Sequence, residues 1–235
     1  VTFASGYLLE FLIIRHLYRR DHMEQVLATF GLILFFNEAI RVSFGPAALF
    51  SDLPPSLSGF VEVLPATPYP AYRLGVIIVG LLCAVGIHLL VSRTRIGAMV
   101  RAGANNPEMT AALGINIKTL FRLIFATGAC LAGVAGMMLG PLTAVQSGMG
   151  EPLLILSLVV IIIGGIGSVR GAFVAAIIVG LVDTLGRVFL PSILRLFVEQ
   201  ATADGAGPAL ASMLVYILMA VVLIFRPTGL FPAKG

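Results

Sequence analysis

The apolar runs of this chain contain very few residues that could do chemistry. Asp183 and Arg187 lie one helical turn apart, Glu38 and Arg41 lie three residues apart, and His88 stands alone. An acid inside a membrane costs about 2.5 to 3.5 kcal/mol, so Asp183 is a candidate either for a buried ion pair or for coupling to an ion. Its spacing from Arg187 favours a structural pair, because each charge removes the cost of leaving the other unpaired. Glu38 and Arg41 are interpreted in the same way, and His88 as a packed or snorkelling side chain.

A glycine-rich segment, GGIGSVRG at 164–171, ends one of the apolar runs. It lacks the Gly-Lys-Ser/Thr ending of a phosphate-binding Walker loop. Gly164, Gly165 and Gly167 therefore indicate close packing, a tight hairpin, or a helix break that lines a translocation path, and these alternatives stay open. The apolar runs contain no convincing nucleophile with its base, no carboxylate pair and no spaced set of metal ligands. The sequence therefore predicts no catalytic residue and no metal site.

The longest polar interruption, Arg93 to Arg122, lies between two apolar runs. It contains N-cap residues, a proline suited to the first helical position, an acid for the first turn and a glycine that can end a helix. These residues are Asn105, Asn106, Pro107, Glu108 and Gly114. They predict one short helix, from Pro107 to Leu113, held at the cytoplasmic surface by the spans on either side.

The composition identifies the class of protein that surrounds this helix. With 59% hydrophobic residues, 11% charged residues and a mean hydropathy of +1.05, the chain has too little polar surface for a soluble globule. We predict an all-α, polytopic transmembrane helix bundle of about six full spans plus a partial N-terminal helix, forming a single domain over 1–235. The full spans are expected at about 24–44, 74–92, 120–140, 152–169, 171–190 and 209–225. The run 152–169 either crosses the membrane fully or re-enters on the same side, and both alternatives stay open.

The basic residues set the orientation of these spans. The net charge is +4, but most bases lie at the ends of apolar runs, which the positive-inside rule explains without nucleic acid. The cluster RHLYRRDH is then cytoplasmic, the proline-rich loop 45–72 is outside with Tyr69 and Tyr72 as interfacial anchors, and 93–122 is cytoplasmic. The opening VTFASGYLLEFLII has no basic leader, so the chain is expected to begin inside a helix, as a fragment or an internally started product would.

Small residues at spacings of four predict which helix faces pack closely in lipid. One such stripe comprises Gly128, Ala132, Gly136 and Gly140. A second comprises Ala172, Ala176 and Gly180. We expect each stripe to face another span.

Four segments together resemble the high-affinity branched-chain amino acid permeases of ABC importers, over nearly the whole chain. They are RAGANNPEMTAALGINIKTLF, GACLAGVAGMMLG, GMG and VIIIGGIGSVRGAFVAAIIVGLVDTLGR. Glu108 and Gly114 also fit the glutamate and glycine, six residues apart, that bracket the coupling helix in the EAA loop of importer permeases. Met109 and Thr110 stand where that loop has two alanines, and Ala126 and Thr127 replace its later Leu and Pro.

The resemblance implies a translocation subunit rather than an enzyme, in the bacterial inner membrane and surrounded by lipid. Its implied partners are a second permease subunit, two cytoplasmic ABC ATPases and a periplasmic substrate-binding protein. This chain would bind no cofactor, because ATP and Mg are used by the ATPases. The residues implied in coupling to the ATPases are Asn106, Pro107, Glu108, Ala111, Ala112 and Gly114. Members of the family usually begin with further spans before the position of Val1.

Two other functions stay open on the residues alone. An ion-coupled secondary carrier would use Asp183, Glu38 or His88 as its titrating group. A structural membrane scaffold would need none of them.

Overall fold

The computed structural model describes residues 1–18, 20–53, 57, 59–64, 67–165, 167–196 and 200–231. Five of the described helices are long and apolar enough to cross a membrane: Met23–Phe44, Ala71–Arg93, Ile117–Leu139, Val169–Leu194 and Gly205–Phe225. The apolar run predicted at 152–169 forms a helix of 15 residues, Gly150–Gly164. That length reaches about 22 Å, against about 30 Å of hydrocarbon. The predicted helical bundle is confirmed, with the six expected spans appearing as five long helices and one short one.

The chain divides into two compact units, Val1–Met149 and Gly150–Gly235. The elements of the first unit are α1 (Thr2–Leu9), a π-helical turn (Glu10–Ile14), α2 (Arg15–Leu17), α3 (His22–Phe44), β1 (Phe60–Leu64), β2 (Thr67–Pro70), α4 (Ala71–Arg93), α5 (Arg95–Asn105), α6 (Pro107–Ala112) and α7 (Ile117–Leu139). Those of the second unit are α8 (Gly150–Gly164), α9 (Val169–Leu194) and α10 (Gln200–Phe225). The single domain expected over 1–235 stays a prediction.

In the first unit, α1 packs antiparallel against α7 through small residues. A Cβ added at Gly6 would collide with Ala129 and would lie 3.4 Å from the Cα of Ala126. At the other end of the contact, a Cβ added at Gly133 would lie 2.5 Å from Cγ2 of Thr2. Close backbone approach over small side chains is how helices associate in lipid, so this contact joins the two helices.

The packed face of α7 differs from the predicted stripe. Arg122, Ala126, Ala129 and Gly133 share one face, because spacings of four, three and four complete whole helical turns. The stripe that begins at Gly128 was expected to pack instead, but Gly128 and Gly136 meet nothing within 4 Å in this chain. Gly128 is rotated by about 120° from Arg122 around the helix axis, so both cannot face α1. The prediction of that face is wrong for the α1–α7 contact.

The proline-rich loop contains a short antiparallel hairpin that was not predicted. β1 pairs with β2, with Phe60 opposite Pro70 and Val61 opposite Tyr69. Just after the hairpin, Tyr72 is buried, and its hydroxyl donates a hydrogen bond to the carbonyl of Met138 at 2.9 Å. The expected interfacial anchor at Tyr72 is therefore wrong, because its phenol pairs with a backbone group inside the unit.

The second unit packs α8, α9 and α10 around an apolar core. That core comprises Val159, Ile163, Ala175, Val179 and Val215. The packed face of α9 carries Gly171, Ala175 and Val179, one residue earlier than the predicted stripe, and a Cβ added at Gly180 would meet open space. The predicted stripe is wrong by one position, which turns a helix face by about 100°.

Candidate functional site

The short helix predicted in the Arg93–Arg122 loop is present as α6 (Pro107–Ala112), with Pro107 in its first turn. Asn106 is its N-cap, and its side-chain oxygen accepts a hydrogen bond from the Met109 N–H at 3.0 Å. Gly114 follows the helix at φ +85°, a conformation that suits glycine. The helix ends at Ala112 rather than Leu113, and Asn105 belongs to the preceding helix.

That preceding helix, α5 (Arg95–Asn105), was missed from the sequence. Thr94 is its N-cap, because the threonine hydroxyl accepts a hydrogen bond from the Gly97 N–H at 3.1 Å. Gly97, Val100 and Gly103 lie on one face at spacings of three, and Gly97 and Gly103 are buried. Thr94 before this pattern is the signal that could have identified the helix.

The start of α7 joins these two helices in one packed cluster. A Cβ added at Gly103 of α5 would lie 3.2 Å from Leu120, which is itself buried. Thr110 of α6 is also buried, and its hydroxyl donates to the Asn106 carbonyl at 2.8 Å. Asn116 caps α7 by accepting from the Thr119 N–H at 3.2 Å. The helix around Glu108 is therefore packed against the base of a membrane-capable helix.

A groove of about 790 Å³ lies between this cluster and the end of the N-terminal segment. Its walls come from α6 (Pro107, Glu108, Ala111), from α7 (Ile117, Lys118, Phe121, Arg122) and from the N-terminal segment (Glu10, Arg15, His16, Tyr18). The groove thus brings three of the predicted coupling residues near groups 89 to 101 positions earlier in the chain.

The innermost feature of the groove is an ion pair between Glu10 and Arg122, which sequence reasoning missed. Nε of Arg122 donates to Oε2 of Glu10 at 2.8 Å. The Glu10 side chain is 1% exposed and the Arg122 side chain is 15% exposed. The same guanidinium donates to the Tyr7 hydroxyl at 3.2 Å and lies over the rings of Tyr7 and Phe11, 5.1 and 4.8 Å from their centroids. The partners are 112 residues apart, so no local spacing could reveal the pair.

Tyr18 closes the outer edge of the groove. Its ring packs edge-on against Phe121, with centroids 5.7 Å apart. Partial burial, and then the negative charge of Glu10, raises the pKa of the Tyr18 phenol. The phenol therefore stays neutral at physiological pH and adds no charge to the groove.

Asp183 and Arg187 of α9 form the expected ion pair. Nε of Arg187 donates to Oδ2 of Asp183 at 2.9 Å, and another Arg187 nitrogen lies 3.5 Å from the Ser212 hydroxyl of α10. The side chains are 27% exposed for Asp183 and 51% exposed for Arg187, so within this chain the pair is not buried as expected. Both charges stay partly accessible beside α10.

The three candidate glycines form a tight hairpin between α8 and α9. A Cβ added at Gly171 would collide with the carbonyl of Gly164, while Gly165 and Gly167 have φ of +99° and +83°. Ser168 then caps α9 by accepting from the Gly171 N–H at 3.0 Å. This geometry is the close packing and tight hairpin named among the alternatives, and a role in a translocation path stays a prediction.

The segment after α10 completes this hairpin. The Leu230 N–H donates to the Ile163 carbonyl at 2.8 Å, and the Phe231 N–H donates to the Gly164 carbonyl at 3.1 Å. These bonds satisfy two carbonyls that the end of α8 would otherwise leave without partners. The tail is therefore part of the fold of the second unit.

Groups of three or more His, Cys, Asp or Glu that could hold a metal ion are absent from the described residues. The groove beside α6 carries the charged side chains of Glu10, Arg15, Glu108, Lys118 and Arg122, an arrangement suited to binding and positioning. It offers no activated nucleophile.

Comparison with known proteins places the sequence in a family. Residues 4–223 match the model of the branched-chain amino acid transport system permease component. The chain is 28% identical over 233 residues to the high-affinity branched-chain amino acid transport system permease protein BraD of Pseudomonas aeruginosa, covering 98% of this chain and 71% of BraD.

Two further relatives are matched over less of their length. The probable branched-chain amino acid transport permease protein LivH of Methanocaldococcus jannaschii is 25% identical over 204 residues, 85% of this chain and 59% of that protein. The fructose import permease protein FruF of Bifidobacterium longum is 27% identical over 168 residues, 68% of this chain and 42% of that protein. No solved structure matches the chain. The chain therefore belongs to the permease component family of branched-chain amino acid transport systems, as a non-enzymatic, multi-pass subunit of the cell inner membrane that works with other ABC transporter components.

Proposed function

We propose that this chain is the membrane-spanning permease subunit of an ATP-driven importer for branched-chain or other apolar amino acids. It would receive substrate from a periplasmic binding protein and release it to the cytoplasm by alternating access. Its other partners would be a second permease subunit and two cytoplasmic ATPases. ATP and Mg would be bound by those ATPases, and this chain would bind no cofactor.

The observation that carries the proposal is the outward surface of α6. Met109 of α6 and Leu113, the residue just after it, are 63% and 75% exposed. Glu108 lies beside them and is also exposed. Exposed apolar side chains grouped with a charge are typical of a protein-binding surface. A capped helix of this kind offers a surface that an ATPase could bind and displace.

The fold supports a path from α6 to the spans. α6 packs with α5 against the base of α7, and α7 continues as one uninterrupted helix to Leu139. ATP-driven closure of the partner ATPases would move α6, and α7 would carry that movement into the bilayer. The free energy would come from nucleotide hydrolysis outside this chain.

Copurification tests the proposal. The tagged chain should retain two soluble ATPases, and the reconstituted complex should accumulate labelled leucine only when ATP is supplied. Glu108→Ala should lower both uptake and ATPase stimulation about five-fold or more, the loss typical of a central interface residue. Asp52→Ala, in the exposed loop after α3, is the matched control and should change neither. Normal coupling in the Glu108 variant would contradict the assignment.

The substrate is tested separately by competition. Relatives named for branched-chain amino acids motivate leucine, isoleucine and valine, and the relative named for fructose import supplies the contrasting competitor. Excess isoleucine or valine should reduce leucine uptake, and fructose should leave it unchanged. The reverse pattern would move the substrate to sugars without affecting the coupling role of α6.

The energy source distinguishes this proposal from an ion-coupled carrier. Uptake by an importer of this kind should stop when ATP is removed and should continue in the presence of an uncoupler. The Asp183–Arg187 ion pair, at 2.9 Å, supports a structural role for the acid that a carrier would have to titrate. Uptake that an uncoupler abolishes would favour the carrier.

A further inference from the structure

Glu10 is the only charged side chain classed as buried among those that the structure describes. It sits at the first position of a π-helical turn, Glu10–Ile14, between the α-helical segments on either side. Such turns are rare and frequently mark functional positions. Burying one carboxylate against one arginine contributes little net stability, and an apolar pair would serve packing as well or better. The pair therefore calls for an explanation other than packing.

The pair belongs to a row of contacts between α7 and the N-terminal segment, and Tyr18 packs on Phe121 beyond it. Thr2 meets Gly133, Gly6 meets Ala126 and Ala129, and Glu10 meets Arg122. The first two contacts are made between glycines and small uncharged side chains, which resist sliding weakly because lipid replaces such contacts at little cost. The third cannot slide without separating two charges in a low-dielectric setting. The ion pair therefore sets the register of the two helices.

Arg122 also lies close to the site that the ATPases would move. Leu120, which packs on α5, and Arg122, which binds Glu10, are two residues apart in α7 and face nearly opposite sides of it. The groove described above lies between α6 and the N-terminal segment. The first two turns of α7 are thus the packed connection between them.

We propose that the Glu10–Arg122 ion pair is a positioning contact of the transport cycle, which makes the N-terminal helix move together with α7 when the partner ATPases displace α6. This inference rests on the proposed function. It assigns no contact with substrate or nucleotide to either residue. Tyr7 and Phe11 direct the guanidinium towards Glu10 by stacking on it.

The test uses the complete copurified complex in liposomes, with labelled leucine uptake, ATP hydrolysis and thermal stability measured on each variant. The variants are Glu10→Gln, Arg122→Met and the double substitution of Glu10→Met with Arg122→Met, which removes both charges. The matched control is the exposed pair Arg20 and Glu24, 3.6 Å apart in the same unit, changed to Met and Gln. Each single substitution should lower the leucine transported per ATP by roughly two- to thirty-fold, the usual range for residues that carry coupling.

The double substitution distinguishes positioning from simple structural support. Because it leaves no unpaired buried charge, it should return thermal stability to that of the unaltered chain. The proposal expects the transport per ATP to stay low, since the apolar pair can slide. Recovery of that ratio together with stability would overturn the proposal, as would unchanged ratios in both single variants.

The same measurements separate this inference from the function on which it rests. If the unaltered chain retained no ATPases, or transported no leucine with ATP, the proposed function would fail before any variant was compared. If the unaltered complex transported leucine with ATP and the double variant transported as much leucine per ATP, only the positioning role would fail. The control pair should match the unaltered complex in all three measurements.

Discussion

The two units join their helices by different means. In the first, α1 and α7 meet through small side chains and end at an ion pair between Glu10 and Arg122. In the second, the backbones of α8 and α9 touch at Gly164 and Gly171, and the tail adds hydrogen bonds to the same helix end. The first joint combines close contact between side chains with a charge pair, and side chains can adjust. The second brings backbone atoms into contact, and these cannot rotate away as side chains do.

The largest effect should come from adding a single methyl group to the second joint. Gly171→Ala places a Cβ against the Gly164 carbonyl, and backbone atoms cannot move aside as side chains do. We expect about 3 kcal/mol of lost stability, at the upper end for overpacking, measured by unfolding in mixed detergent micelles. Gly180→Ala on the same helix meets open space and should change stability little. Equal losses in the two variants would remove the contrast between the joints.

A smaller effect is expected from the same change in the first unit. Gly133→Ala brings a Cβ within 2.8 Å of the Thr2 Cβ and closer still to its two γ atoms, so Thr2, the first residue of α1, must shift as well as rotate. The loss should be about 1 to 2 kcal/mol in the same unfolding assay, in the lower part of the overpacking range. Thr2→Gly, which also removes the Thr2 Cβ that lies 2.8 Å from the added group, should lower the cost of Gly133→Ala when measured against Thr2→Gly alone, and Gly128→Ala provides the unpacked comparison. A Gly133 loss as large as that at Gly171 would mean that the first joint is equally rigid.

Removal of a helix cap should have an intermediate and local effect. Asn106→Ala deletes the oxygen that accepts the Met109 N–H, and Asn116→Ala does the same for Thr119 at the start of α7. Each should cost about 1 kcal/mol. Hydrogen exchange should show faster exchange at Met109 in the first variant only. Exchange that rises across the whole unit would show that α6 does not open separately.

The smallest effect should come from the exposed ion pair on α3. Glu38 and Arg41 are 3.6 Å apart with both side chains 60% exposed. Glu38→Gln should change stability by about 0.5 kcal/mol or less, because the pair lies within the last two turns of α3, at the membrane surface, where exposed pairs contribute little. Unfolding of this variant in parallel with Glu10→Gln compares an exposed glutamate with a buried one. A larger loss of stability in Glu38→Gln than in Glu10→Gln would show that exposure does not determine which ion pair contributes more to stability.

The sequence predicted features that depend on neighbouring residues. The sequence was enough to predict the start of α6 at Pro107, its cap at Asn106 and the left-handed glycine after it, because caps and turns are decided within a few positions. The pairing of Asp183 with Arg187 could be predicted for the same reason, since one helical turn brings the two side chains together. The overlooked α5 carried a local signal too, in Thr94 and the buried positions that follow it.

The sequence did not reveal which faces of the long helices pack. Both small-residue stripes were plausible, yet α7 turns towards α1 the face that carries Arg122, and α9 turns towards α8 the face that carries Gly171. Nearly every face of such helices is apolar, so hydrophobicity does not select one. A single charge that needs a partner, or a single glycine that allows backbone contact, makes the selection.

By itself, the amino-acid sequence determined that this protein crosses a membrane, that its helices begin and end at recognisable residues, and that a capped helix interrupts the spans. These properties follow from hydropathy and from hydrogen bonds between near neighbours. Only the tertiary structure decided that Glu10 meets Arg122 and that the tail after α10 binds the end of α8. Those contacts join residues dozens of positions apart, and they exist because a buried charge or carbonyl must find a partner wherever the fold brings one.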